Sequence, residues 1–290
     1  MRLALTMVVA TMALVACGGG GGSDSTDTAN PTNPVNEGLA VLTSSNYVAV
    51  AQEALSTSSL LLNAGSLVLG AQVSDPGAIV RFAQQQLLQM PLRTLGPATA
   101  VGATQTYTEP CDGGGSVTET ENDQNANGQV DAGDSLTLTA NNCRFAGQAL
   151  NGEMQITLTS VNGNPGETYP WSVNGTISFR NFAAQERGNL YTANGNMVLA
   201  LSARSDRDQD IALNTPNFAV TNSYNGVASS QTLTDYSASL KTRLVGGNVN
   251  GISSVQGTLT SSALGGKSVT VQTPTPFTRV GTQANPSSGQ

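Results

Sequence analysis

From Asp123 to Asp134 the chain sets an oxygen-bearing side chain at positions 1, 3, 5, 7, 9 and 12 of a twelve-residue frame: Asp123, Asn125, Asn127, Gln129, Asp131 and Asp134. A hard cation such as calcium takes about six to eight oxygens at roughly 2.3–2.6 Å, and alternate side chains on a tightly turning backbone can supply them. Gly128, at position 6, permits the sharp turn. Residues 109–134 also hold Glu109, Asp112, Glu119 and Glu121, with no Lys or Arg among them. Like charges this crowded call for a counter-cation.

Over these residues the spacing resembles the calcium loop of EF-hand proteins. The resemblance implies calcium as cofactor and these six residues as the metal site, with Gln129 offering its backbone carbonyl, Asp131 a direct or water-mediated oxygen and Asp134 the closing carboxylate. Two features depart from that pattern. The closing residue is Asp134 and not Glu, as in dockerin-like extracellular loops, so the last carboxylate reaches one methylene less far. The flanks, SVTETEN and SLTLTANNC, alternate like strands and not like helices. A calcium loop at the tip of a β-hairpin is therefore expected, not a helix pair that opens and closes as a sensor.

Other chemistries lack their residues. The chain contains no His, which removes the commonest general base, the Ser-His-Asp and Cys-His arrangements and imidazole ligation of metals. Paired carboxylates remain the one conceivable catalytic device. Glu119 and Glu121 share a strand face, but beside so acidic a loop they read as solvated charge; Asp206, Asp208 and Asp210, interleaved with Arg204 and Arg207, read as a charged loop at a strand junction. GGKS at 265–268 lacks the first glycine of a phosphate-binding loop and is followed by strand residues. No catalytic residue is proposed.

The elements that must position the acidic frame follow from periodicity. Tyr47, Val50, Ala51, Ala54 and Leu55 form one face of a helix beginning after Asn46. A second helix has Asp75 placed to cap it, Pro76 at its first position and Ile79, Phe82, Ala83, Leu87 and Met90 along one stripe. From about residue 100 the period changes to two: Met154, Ile156 and Leu158 alternate with polar residues, as do Met197, Leu199 and Leu201, and Tyr236, Ala238, Leu240 and Leu244. Asn-Gly at 151, 162, 174, 194, 225 and 250 suits tight turns with positive φ. The expected fold is mainly β, an antiparallel meander of about eight to ten strands, built as an open curled sheet, sandwich or barrel, with a small N-terminal two-helix cap.

The three cysteines divide by position. MRLALTMVVATMALVAC has one basic residue and a short apolar run ending at Cys17, an export signal too short to cross a bilayer. LVAC at 14–17 resembles the lipobox of bacterial lipoproteins, which implies a diacylglycerol on Cys17, and Gly18 after it implies the outer membrane. Cys111 and Cys143 then remain as an even pair in an exported chain and are expected to form a disulfide. A strand register that sets them face to face would also set Val117 opposite Thr137, with the odd residue absorbed by a bulge at Gly113–Gly115. CDGGGSV running on to AGDSLTLTANNC is similar to a recurring pattern in uncharacterised bacterial lipoproteins, a group that implies address and fold class but no activity.

The organisation expected is a signal peptide at 1–16, a Gly/Ser/Asn-rich tether at 17–38, a helical segment at 39–99, an antiparallel β domain at 100–280 and a polar tail at 281–290. A net charge of -7 with only 11% charged residues provides no basic surface for nucleic acid. The leading expectation is a non-enzymatic cell-envelope lipoprotein, anchored to the outer membrane through its lipid. Its calcium-braced β domain would serve surface structure, adhesion or ligand binding, with an envelope protein or a glycan as partner. The alternatives are a periplasmic carrier of an apolar ligand such as a lipid, followed by a carboxylate-based glycan hydrolase.

Overall fold

Along Asn189–Ser205 every odd-numbered residue from Tyr191 to Ala203 is buried except Gly195, and the residues between them are not. Repeated in neighbouring strands, this alternation makes one apolar sheet face that must be covered. The structure, a computed structural model, describes residues 38–62, 76–93, 103–145, 148–165, 167–186, 188–224, 226–281 and 288. The lipobox, the tether before Gly38 and the capping Asp75 lie outside them.

Two helices, α1 (Tyr47–Leu62) and α2 (Pro76–Gln89), precede eleven strands. These are β1 (Ala103–Pro110), β2 (Ser116–Asp123), β3 (Ser135–Phe145), β4 (Gln148–Asn162), β5 (Trp171–Glu186), β6 (Asn189–Ser205), β7 (Asp208–Tyr224), β8 (Val227–Val245), β9 (Asn248–Ser261), β10 (Lys267–Gln272) and β11 (Phe277–Arg279). β1 to β10 lie side by side in chain order, each antiparallel to the next, and β11 pairs with β9. The sheet is open: β1 and β10 end the row and do not pair. The expected meander is observed, with eleven strands in place of eight to ten. Phe277–Arg279, at the end of the expected β domain, joins the sheet through β9, and Thr278 also bridges Ser288.

The helices cover the apolar face. α2 begins at Pro76, as expected, and its buried Ile79, Ala83 and Leu87, with Val80 beside them, pack on β4 to β7; Met90, in the 3-10 turn that follows, is buried as well. Phe82 stacks on Phe182 at 5.7 Å between centroids. The approach is close over β5, where a Cβ on Gly175 would stand 2.7 Å from Leu87 Cδ1. α1 lies against β8 and β9, but its inward stripe is not the expected one. Val50 and Thr57 are buried, whereas Tyr47 and Ala51 are exposed. A polar anchor turns the helix: Glu53 Oε1 accepts hydrogen bonds from Gln231 on β8 and Ser261 on β9. An apolar-only periodicity count cannot register such an anchor.

Asn-Gly marks bulges as often as turns here. The pair at 162 stands at a strand end, and Gly226 of the pair at 225 immediately precedes β8; those at 151, 174, 194 and 250 lie inside strands. Register shifts occur next to Asn142, Asn181 and Asp235, non-glycine residues with φ of 47°, 48° and 45°. Asn151 Oδ1 accepts the N–H of Asn142 and Asn194 Oδ1 that of Asn181, so the Asn of each pair satisfies a bulged neighbour. The Gly that follows lies so close to a neighbouring strand that a Cβ at Gly152 would collide with the carbonyl of Asn181. Each bulge shifts the side-chain alternation by one: buried positions on β5 are odd up to Phe179 and include Phe182 and Ala184 beyond it. The strands bend while the apolar face stays on one side.

Candidate metal centre

The acidic frame is the β2–β3 connection, from Asp123 at the end of β2 to Asp134 just before β3. It sits at a hairpin tip, as the flanking alternation implied. Its two ends are buried carboxylates: Asp123 is 4% exposed and Asp134 1%. Asp134 is held by the fold on all sides. Its Oδ1 accepts the N–H of Gln124 at 2.9 Å and its Oδ2 that of Asp131 at 2.8 Å. Its backbone carbonyl accepts from Leu158 of β4 at 2.9 Å, and Gly133 N–H donates to Leu158 in return.

Between the buried ends the loop is wound by Asn side chains. Asn125 Oδ1 accepts from Asn127 N–H at 3.1 Å, and Asn127 Oδ1 accepts from Gln129 N–H at 2.7 Å. Ala126 and Gly128 take φ of 55° and 74°, which gives the sharp turn that Gly128 was expected to permit. Gly128 N–H donates to Asp123 Oδ2 at 2.7 Å. Asp123 Oδ1 is buried and has no hydrogen-bond partner.

Asp131, more open to solvent, receives the amide groups of Asn125 at 2.9 and 3.1 Å and of Asn127 at 2.7 Å. Among the described residues no three carboxylate, thiolate or imidazole groups converge at metal-binding spacing. The frame thus brings Asp123, Asn125, Asn127, Asp131 and Asp134 into one hydrogen-bonded loop, with Gln129 contributing its backbone. The two amides turn nitrogen toward Asp131 where a cation would require oxygen.

Electrostatics single out Asp134. Burial raises its pKa above the ordinary 3.8; the Asp131 and Gln124 backbone bonds pull it down, and the charges of Asp131 and Asp123 push it up. No Lys or Arg among the described residues forms an ion pair with Asp123, Asp131 or Asp134.

Several other acidic groups are paired with arginines of the chain. Arg93, just after α2, sits with Nη1 2.6 Å from Glu119 Oε2 and 3.2 Å from Glu121 Oε1. Burial alone would lower the Arg93 pKa, but the two carboxylates outweigh it and hold it above its ordinary value. Glu119 and Glu121 are therefore not simply solvated: they clamp the segment after α2 onto β2. The sequence hid this because the arginine stands 26 and 28 residues away. Asp208 and Asp210 lie within 2.7–3.6 Å of Arg204 and Arg243, a network spanning β6, β7 and β8. Hydrogen bonding to Arg204 lowers the Asp208 pKa.

Cys111 and Cys143 are joined in a disulfide with Cα atoms 5.4 Å apart. The register expected around it is not the one observed. Val117 pairs with Ala140, not Thr137, and Gly113–Gly115 form the β1–β2 turn and no bulge within β2. Cys111 stands at the mouth of that turn, which is bonded to β3 through Gly113 N–H to Arg144 O and Arg144 N–H to Gly114 O. The bulge that brings Cys143 round to it lies in β3, at Asn142. The disulfide thus ties the β1–β2 turn to β3 at the end of the hairpin remote from the acidic tip.

A scan against family models, a search of curated proteins and a search of solved structures each return no match.

Proposed function

We propose that this chain is a lipid-anchored protein of the bacterial cell envelope, held at the outer membrane through Cys17, whose β domain is braced by calcium at the β2–β3 tip and acts without catalysis in surface structure, adhesion or ligand binding. The observation that carries the calcium brace is the buried, unpartnered Oδ1 of Asp123, on a loop that also buries Asp134. A buried oxygen without a donor is costly, and a buried carboxylate without a counter-charge more so. A divalent cation answers both demands. Asp123, Asp131 and Asp134 would supply charge, Asn125 and Asn127 would turn oxygen toward the ion, and Gln129 would give its carbonyl.

The two alternatives have less support. A carrier needs an apolar surface left over for its ligand, and here α2 already lies on the apolar face over β4 to β7. A hydrolase needs a free acid pair, and Glu119 and Glu121 share Arg93. Two measurements on the same preparation test the proposal. Metabolic labelling with palmitate should mark the wild type and not Cys17→Ser. Calorimetric titration should show calcium binding at about 0.1–1 mM, as in extracellular modules, and its loss in Asp123→Ala. An unlabelled wild type would remove the anchor, and a flat titration the brace.

A further inference from the structure

We propose that residues 39–48, LAVLTSSNYV, form a membrane-contact knuckle that enters the headgroup–acyl boundary of the bilayer holding the Cys17 lipid, and so seats the β domain by its β9–β10 end. The inference rests on the lipid-anchor reading and adds an orientation to it. Leu39, Val41, Leu42, Tyr47 and Val48 are each between 48% and 73% exposed. From Gly38 to Gln52 the chain carries no charged residue, although the protein has a net charge of -7. Clustered exposed apolar side chains in an uncharged stretch mark a surface that meets something apolar, and Tyr is favoured where one end of a ring is wet and the other is not.

The fold presents these side chains outward on a fixed backbone. Leu39 bridges Ser268 in parallel, with Ala40 N–H donating to Ser268 O at 2.7 Å, so the chain enters the domain along the β10 edge. A turn follows at once. Asn46 Oδ1 accepts from Thr43 N–H at 2.8 Å, Asn46 Nδ2 donates to Val41 O at 2.9 Å, and Tyr47 N–H donates to Thr43 O at 3.1 Å. These bonds hold Val41 and Leu42 on the outside while Val50, one turn on, enters the core. The β7–β8 turn opens at the same end of the strands and carries Tyr224 and Val227, both more than half exposed.

The occupant follows from where the lipid would be. Residues 18–38 separate the lipidated cysteine from Leu39, so the covalent chain can span at most about 75 Å between them. The knuckle thus stays within reach of the bilayer, where even a weak apolar contact is favoured by its effective concentration. The absence of acidic residues from the patch avoids repulsion by anionic headgroups.

The test uses lipidated full-length protein, purified from membranes and reconstituted into phosphatidylethanolamine–phosphatidylglycerol vesicles with brominated acyl chains. The native tryptophan, Trp171, is buried and gives a constant background. An indole introduced by Leu42→Trp should be quenched about twofold or more, as for a side chain at the acyl boundary. One introduced by Leu244→Trp, exposed at the β8–β9 tip at the opposite end of the sheet, should keep its intensity. If the protein carries its lipid and floats with the vesicles but neither indole is quenched, the knuckle is refuted and the anchor stands. Equal quenching at both positions also refutes it. Shielding of the position-42 indole from iodide in detergent, without lipid quenching, would assign the patch to a second copy or a protein partner. A product lacking the diacylglycerol mass would overturn the anchor and the knuckle together.

Discussion

Asp134 accepts a backbone N–H at each carboxylate oxygen, yet its pKa is raised because burial opposes its charge. The sign of its pH dependence follows. A carboxylate whose folded pKa lies above its unfolded value binds protons better in the folded state, so metal-free protein should lose stability as pH rises from the ordinary value of 3.8 through the elevated one. A cation at the tip competes with that proton. The calcium-induced rise in melting temperature should therefore be small near pH 4 and reach its full size by about pH 7, above the carboxylate range. Thermal melts across that range check it, and an increment independent of pH would mean that calcium does not engage Asp134. At this scale much of the loop was legible: alternation of Asp and Asn, with Gly128 at the turn, was enough to name the aspartates and asparagines that the loop gathers, though not Gln124, whose N–H binds Asp134. Spacing could not show that the Asn amides would turn their nitrogens to Asp131. Nor could it show that Arg93 would neutralise Glu119 and Glu121, since that contact depends on where α2 ends relative to β2.

Among the elements, the strands were legible from their period and the bulges were not. Asn-Gly favours positive φ wherever it stands, and a hairpin turn and a β-bulge both use positive φ. Asn151 and Asn194 therefore read as turns until their partners, Asn142 and Asn181, were seen across the strand. The seating of α2 makes a sharper test. Gly175→Ala would drive a Cβ to 2.7 Å from Leu87 Cδ1 and 3.1 Å from Thr157 O, inside the core, and should cost about 1–3 kcal/mol by overpacking. Leu87→Ala alone should cost about 2–5 kcal/mol through its cavity. Because each change relieves the other, the double variant should lose less than the sum by on the order of 1 kcal/mol, as read from denaturant melts. Strict additivity would mean that α2 does not sit on β5 as described.

On the proposed reading, the whole molecule needs a fold that holds its shape at the membrane surface. The meander pairs neighbours in chain order, and the disulfide fixes one end of the β2–β3 hairpin. In the chain-entropy account a crosslink spanning 32 residues contributes on the order of 3–4 kcal/mol. The other end of the hairpin is closed by the acidic loop, whose three aspartates form no ion pair with a Lys or Arg among the described residues. The calcium brace is the central claim, and it is tested most directly by melting the full chain in several millimolar calcium and again in chelator. Stabilisation by a ligand follows RT ln(1 + [L]/Kd), so with Kd in the range of extracellular modules calcium should add roughly 1–3 kcal/mol. Magnesium, which dehydrates reluctantly, should add much less. Asp123→Ala should abolish the calcium response, and Glu153→Ala, which removes a β4 carboxylate facing the exposed Arg180, should retain it. Identical melting of the wild type in calcium and in chelator would contradict the account.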